Sequence, residues 1–155
     1  MHNFSLVHDD LMDRDHWRRH RATVWALWGD AAAVLAGDAM LSLAHEVLLE
    51  CASDHRAAAQ ITNTVASREL LRGQAANLAF ENRDDVSLAE CVSMAYGKTA
   101  ALMAASAVIG AQLAGGPPFV RDAAAGGRQP EHPRGPDACP GVPKIVHCHE
   151  TSALR

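Results

Sequence analysis

The chain has no proline before Pro117, one tyrosine, and only 5% aromatic residues in its 155 positions. Without proline, nothing in the first part of the chain interrupts a helical hydrogen-bond ladder. Four cysteines, Cys51, Cys91, Cys139 and Cys148, are spaced too widely to read as a disulfide frame. Two of them fall inside apolar helical patterns and read as small core residues. There is no excess of positive charge: the net charge is −4 and the pI about 6.1, which excludes the global basic field of a nucleic-acid binder. The opening Met1-His-Asn-Phe-Ser lacks the basic and apolar regions of a signal peptide. The most apolar long run, residues 100–114, is mostly alanine and shorter than the roughly 18 residues that a membrane span needs. The expectation is a soluble, cytoplasmic protein with no transmembrane segment.

All seven prolines lie at or after Pro117, and six of the eleven glycines lie at or after Gly115. That shift divides the chain. Residues 1–116, rich in alanine and leucine, predict one all-α domain large enough to bury a core. Residues 117–155 alternate Pro, Gly, Arg and His without periodicity and predict an irregular, disordered tail. Cys139, His147, Cys148 and His149 in that tail do not fit the ligand spacing of a structural zinc site.

Carboxylates are packed most tightly in Ser5-Leu-Val-His-Asp-Asp-Leu-Met-Asp13, just ahead of Arg14, Arg18, Arg19 and Arg21. A helix over residues 5–15 sets Asp9 and Asp13 one turn apart, with Asp10 on the shoulder of the same face. Three carboxylates aimed one way repel unless a cation sits between them, and Mg²⁺ prefers such hard oxygen donors. Because Mg²⁺ completes its shell with waters and substrate phosphates, acids followed by arginines read as metal plus phosphate. A solvated, salt-bridged helix end is the alternative. Leu6, Val7, Leu11 and Met12 around the acids favour a cleft.

Three more helices follow from periodicity. The second spans 31–54, with Val34, Leu41, Leu48 and Cys51 on one stripe and Asp38 among them. The third spans 57–81, where Leu71, Ala75 and Leu78 share a face beside Gln74. The fourth opens with Ser87-Leu-Ala-Glu90, a capping box, and carries Cys91, Ala95, Leu102 and Ile109 on a stripe that includes Lys98. Asp38, Gln74 and Lys98 thus each lie on a face that reads as buried. Burying such groups alone is costly, so they are expected to meet one another or to line a polar cavity inside a bundle.

Five blocks, His8-Asp-Asp-Leu-Met-Asp13, Arg18-Arg19, Ala36-Gly-Asp-Ala-Met-Leu41, Arg72-Gly-Gln74 and Tyr96-Gly-Lys-Thr-Ala100, resemble in order and spacing the head-to-tail polyprenyl diphosphate synthases. The resemblance implies an all-α, partial isoprenoid synthase bundle with its cavity inside. It implies that Asp9, Asp10 and Asp13 hold an allylic diphosphate through Mg²⁺. Arg18 would contact that diphosphate and Arg19 would help to hold isopentenyl diphosphate. Lys98, Thr99 and Gln74 would face the allylic diphosphate and the developing carbocation, and the Gly37-Asp38 block would be structural. Phe4, five residues before Asp9, stands where an aromatic side chain influences product length, with a C20 product suggested. Full-length relatives are expected to be homo-oligomers.

The chain also departs from that family. A Gly-Lys-Arg-type segment ahead of the first aspartate box and a second aspartate-rich motif are missing, which implies truncation at both ends. The composition of 117–155 is what a shifted reading frame in GC-rich DNA yields. His20 and Ala22 replace the usual glycine and proline, and Trp25 stands where histidine is common. Two alternatives to an active prenyltransferase remain: a non-catalytic remnant or subunit that binds Mg²⁺, diphosphate or a partner, and a class I terpene cyclase. The second would share the aspartate box but not Arg18-Arg19 or Lys98-Thr99.

Overall fold

A computed structural model describes residues 1–118 and 120. Helix α1 spans His2–Met12 and is followed by a short hairpin of β1, Trp17–Arg18, and β2, Arg21–Ala22. Helix α2 covers Val24–Trp28, α3 Asp30–Glu50 and α4 Arg56–Phe80. Helix α5, Leu88–Ala95, runs through a π-helical turn at Tyr96–Ala100 into α6, Ala101–Leu113. The fold is all-α apart from that two-stranded ribbon. The zinc-ligand candidates of the tail, and all of the tail except residues 117, 118 and 120, lie outside the described residues.

Local chemistry explains where the elements start and stop. Gly29, at φ +85°, separates α2 from α3 in a backbone region that side-chain-bearing residues avoid. Ser87 caps α5 through the expected box: its hydroxyl accepts from the Glu90 N–H, and the Glu90 carboxylate accepts from the Ser87 N–H. Helix α6 ends on Gly115, at φ +68°, where the Gly116 N–H bonds back to the Ala111 carbonyl and the Gly115 N–H to that of Gln112. This is a Schellman closure. The hairpin was not foreseen. Arg19 and His20 both take positive φ, at 50° and 62°, as a type I′ turn requires, although neither is glycine.

The helices meet along lines of small residues. Ala33 and Gly37 are the buried positions of α3, and a Cβ at Gly37 would strike the His8 imidazole of α1. Gly97 packs on Gly73: a Cβ at Gly73 would lie 2.3 Å from the backbone nitrogen of Lys98. The π-helical turn therefore seats directly on the backbone of α4.

Several expected faces are displaced. The expected stripe of α3 is at most half-buried, with Val34 43% exposed, and Asp38 points to solvent within 3.7 Å of the His8 Nε2. Helix α4 buries Asn63, Ser67, Leu70 and Gln74, while Leu71 is 55% exposed although it lines the cavity, and Ala75 is exposed. Cys51 and Cys91 are half-buried free thiols. Leu35, Leu43, Val47 and Leu49 leave an apolar face of α3 exposed. The helices of Asp30–Glu50 and Leu88–Leu113, at 21 and 26 residues, are long and apolar enough to cross a membrane by length and composition. The expected limit of residues 100–114 missed that α5 and α6 form one continuous rod.

Candidate functional site: a charged rim over an apolar cavity

Helix α1 ends at Met12, so Asp13 is its C-cap rather than part of a longer helix, and its N–H bonds to the Asp9 carbonyl 2.8 Å away. Asp9 and Asp10 occupy the last turn. Beyond them the hairpin folds back and brings Arg18 onto the carboxylates. Its Nε donates to Asp10 Oδ1 and one terminal nitrogen lies 3.6 Å from Asp9 Oδ2. From the π-helical turn, Lys98 Nζ reaches Asp9 Oδ1 at 2.9 Å. Residues far apart in sequence thus converge on one carboxylate.

The loop that makes this possible is tied down from α2. Thr23 Oγ1 and Trp25 Nε1 both donate to the Asp15 carbonyl, at 2.7 and 2.8 Å. Arg14 makes a two-pronged pair with Asp30 at 2.8 and 2.9 Å and lies over the Trp25 ring. Thr23 and Trp25 were not singled out as positioning residues, because their role lies in which backbone oxygen they meet rather than in a spacing.

Burial pushes the Asp10 carboxyl above the usual carboxylate range; the Arg18 guanidinium pulls it back, and Asp9 and Asp15 add to the rise. Asp10 is buried, so its charge depends on Arg18 remaining in place.

Below this rim lies a cavity of about 590 Å³, within the range of small-molecule sites. Phe4, Asp9, Gln74, Lys98 and Thr99 all line it. Five sequence-derived candidates, from α1, α4 and the π-helical turn, therefore line one cavity. Phe4 is buried, with its ring edge-on to His8 at 6.0 Å. Gln74 is also buried, and neither its Oε1 nor its Nε2 has a hydrogen-bond partner among the described residues. An amide left so costs about 1–3 kcal/mol and marks a place where a ligand dipole fits. Arg19 is exposed at the hairpin tip and is not among the lining residues. Asn63, which was not a candidate, also lines the cavity and is 1% exposed. The i, i+4, i+7, i+11 series Asn63, Ser67, Leu70, Gln74 would have found it had polar residues been allowed on an inner face.

Asp9, Asp10 and Asp13 offer the hard oxygen donors that Mg²⁺ takes. Among the described residues no three His, Cys, Asp or Glu side chains converge as a complete cage, and Lys98 and Arg18 are the cations on the carboxylates.

A family model described as polyprenyl synthetase matches residues 1–128. A protein named (2E,6E)-farnesyl diphosphate synthase from Mycobacterium tuberculosis is 72% identical over 123 residues, covering 79% of this chain and 34% of that protein. A short chain isoprenyl diphosphate synthase from Methanothermobacter thermautotrophicus is 41% identical over 119 residues, covering 76% of this chain and 37% of that one. The crystal structure of a polyprenyl synthetase from Streptomyces coelicolor A3(2) superposes with a TM-score of 0.75 at 49% identity, over 80% of this chain and 37% of that one. A geranylgeranyl pyrophosphate synthetase from Pyrococcus horikoshii Ot3 gives 0.77 at 39% identity, over 80% and 38%. The chain spans about a third of the length of the relatives it matches.

Proposed function

The chain belongs to the polyprenyl synthetase family, and from that premise we propose that it carries the allylic half of a prenyltransferase site, where an allylic diphosphate is joined to isopentenyl diphosphate. The observation that carries this reading is the Asp9–Lys98 pair, 2.9 Å long, set on the rim of the apolar cavity. It holds opposite charges in reserve: an arriving diphosphate takes Lys98 and Arg18, and Asp9, Asp10 and Asp13 are released to hold Mg²⁺ against the phosphate oxygens. Mg²⁺ held by Asp9, Asp10 and Asp13 would supply charge neutralisation for a departing diphosphate, which is the chemistry that ionisation of an allylic carbon–oxygen bond requires. Lys98 and Arg18 add to that stabilisation from fixed positions. The Gln74 amide and the Thr99 hydroxyl present dipoles to the allylic carbon, while the apolar wall keeps water from the cation. A role for Arg19 in holding isopentenyl diphosphate rests on the family resemblance, since the residue is exposed on the hairpin turn outside the cavity lining.

The proposed product is a fifteen-carbon chain in place of the C20 chain suggested by sequence, on the strength of the farnesyl diphosphate synthase relative and of Phe4 in the wall. The two long apolar helices are read as bundle helices rather than membrane spans, because Lys98 breaks one of them at the functional rim, where its α6 part lines the cavity, and the exposed Asp38 interrupts the other, which packs on α1 through Ala33 and Gly37. A cytoplasmic location and no nucleic-acid partner accompany this reading.

The test is to incubate the chain with dimethylallyl diphosphate, labelled isopentenyl diphosphate and Mg²⁺ and to separate the products by chain length. Longer prenyl diphosphates, lost in Asp9→Asn, are the expected result. A second reading, a non-catalytic subunit that binds Mg²⁺, diphosphate and a protein partner, is favoured by the exposed apolar face of α3, which a second copy or another helical chain would cover. No product from a chain that still binds pyrophosphate would select it.

A further inference from the structure

The hairpin between α1 and α2 carries charges that do not stabilise it. In its register Trp17 pairs with Ala22 and Arg18 with Arg21, and the Thr23 N–H closes the next rung on the His16 carbonyl at 3.1 Å. Residues directly opposite each other in an antiparallel pair send their side chains to one face of the ribbon, so Arg21 leaves it beside Arg18, on the face that meets Asp9 and Asp10. Two arginines so placed repel, with about 5.5 Å between the Cα atoms of a hydrogen-bonded pair. The turn that sets them there is itself unfavourable, since Arg19 and His20 take φ of 50° and 62° without being glycine. Asp9 and Asp10 already hold Arg18 and Lys98. Arg21 is exposed, and among the described residues no side chain pairs with its guanidinium. An exposed arginine is ordinarily a solvated charge, but at this position a neutral residue would serve the ribbon better.

We propose that Arg21 joins Arg18 in binding the terminal phosphate of the diphosphate, and that it makes the rim selective for prenyl diphosphates over prenyl monophosphates. The inference rests on the prenyltransferase reading of the cavity. Asp9 and Lys98 line that cavity, whereas Arg18 and Arg21 do not, so the charged groups lead outward from its mouth to the hairpin. A prenyl tail inside the cavity leaves its first phosphate at Lys98 and directs the second towards the two arginines. Arg18 has its Nε and one terminal nitrogen turned to the acids and keeps its other terminal nitrogen, while Arg21 beside it offers a whole donor fork. A phosphate between them accepts charge-assisted hydrogen bonds from both and offsets their mutual repulsion. A monophosphate stops at Lys98, short of Arg21.

Geranyl S-thiolodiphosphate and geranyl monophosphate, titrated into the chain with Mg²⁺ by calorimetry, provide the test. Arg21→Gln should weaken the diphosphate about tenfold, the scale of one lost charge-assisted contact, and change the monophosphate less than about twofold. Arg21→Lys, which restores the charge without the fork, should recover part of the loss. The thermal midpoint of Arg21→Gln should equal or exceed that of the parent, because the variant removes a like-charge pair; a merely structural role would lower it. In the unaltered chain, Mg²⁺ with inorganic pyrophosphate should shield Arg21 from phenylglyoxal, read by peptide mass spectrometry, which needs no variant to fold. Equal weakening of both probes, unchanged diphosphate binding, a lowered midpoint or an unshielded Arg21 overturns the inference, and the prenyltransferase reading stands if Asp9→Asn still weakens the diphosphate. A parent chain that binds neither probe overturns both.

Discussion

Replacing Gly73 with alanine should damage this protein although alanine is the better helix former. A methyl group there would lie 2.3 Å from the Lys98 backbone nitrogen, 2.8 Å from the Gly97 carbonyl carbon and 2.9 Å from the Lys98 Cα. All three are backbone atoms, so no side chain can swing aside. To reach ordinary contact at 3.4 Å, α4 and the π-helical turn must part by about 1 Å. Overpacking of this kind costs about 1–3 kcal/mol, against about 1 kcal/mol gained by removing a helical glycine. The net loss is up to about 2 kcal/mol, centred on about 1 kcal/mol, enough to lower a thermal midpoint by roughly 4 °C in a chain of this size. Because the turn carries Lys98, the same displacement lengthens its 2.9 Å pair with Asp9 and should weaken pyrophosphate binding as well. Gly37→Ala is the control, since the three atoms nearest its methyl group all belong to the His8 side chain, which can rotate away at the loss of its 3.1 Å bond to the Val34 carbonyl. Circular dichroism melts of the two variants check the reasoning. A Gly73→Ala protein as stable as the parent, or one less affected than Gly37→Ala, would refute the described seating of the turn on α4.

His20→Gly should stabilise the chain by up to about 1 kcal/mol in chemical denaturation, because His20 is exposed and holds φ at 62°, a region that costs side-chain-bearing residues about that much. Ser87→Ala should cost about 1 kcal/mol by removing the cap of α5. The Glu90 carboxylate, which accepts from the Ser87 N–H and hydroxyl and then from Arg83, is held at about 2, below its ordinary 4.5. Its folded value is the lower one, so its contribution is whole above pH 4.5 and is lost as the pH falls towards 2. The stability gap between the parent and Glu90→Gln, measured by denaturation at several pH values, should therefore close across that window.

The candidate residues of the site could be picked out in sequence because they are residue types at fixed spacing. Asp9, Asp10, Arg18 and Lys98 were singled out individually, and the fold brings them together; the Ser87 capping box is a local pattern and forms as read. What was not legible depends on backbone conformation or on which side of a helix meets a void. The π-helical turn at Tyr96–Ala100 has no residue signature beyond a small Gly97, yet it sets where Lys98 points. The type I′ turn was hidden because Arg19 and His20 lack the Asn-Gly signal that usually announces it. On α4, ranking positions by hydrophobicity chose Leu71 and Ala75; Leu71 does line the cavity although it is 55% exposed, but the buried positions include the polar Asn63, Ser67 and Gln74. Asp38 was expected inside for the same reason in reverse: Gly37 beside it is the buried residue, selected by the close approach of His8.

Calorimetric titration of the chain with inorganic pyrophosphate, with and without Mg²⁺, bears most directly on whether these residues form a diphosphate site. The account predicts saturable binding in the presence of Mg²⁺, weakened at least about tenfold by Asp9→Asn and by Lys98→Met, each of which removes one side of the 2.9 Å pair. No binding by the parent chain, or equal binding by the parent and both variants, would contradict it.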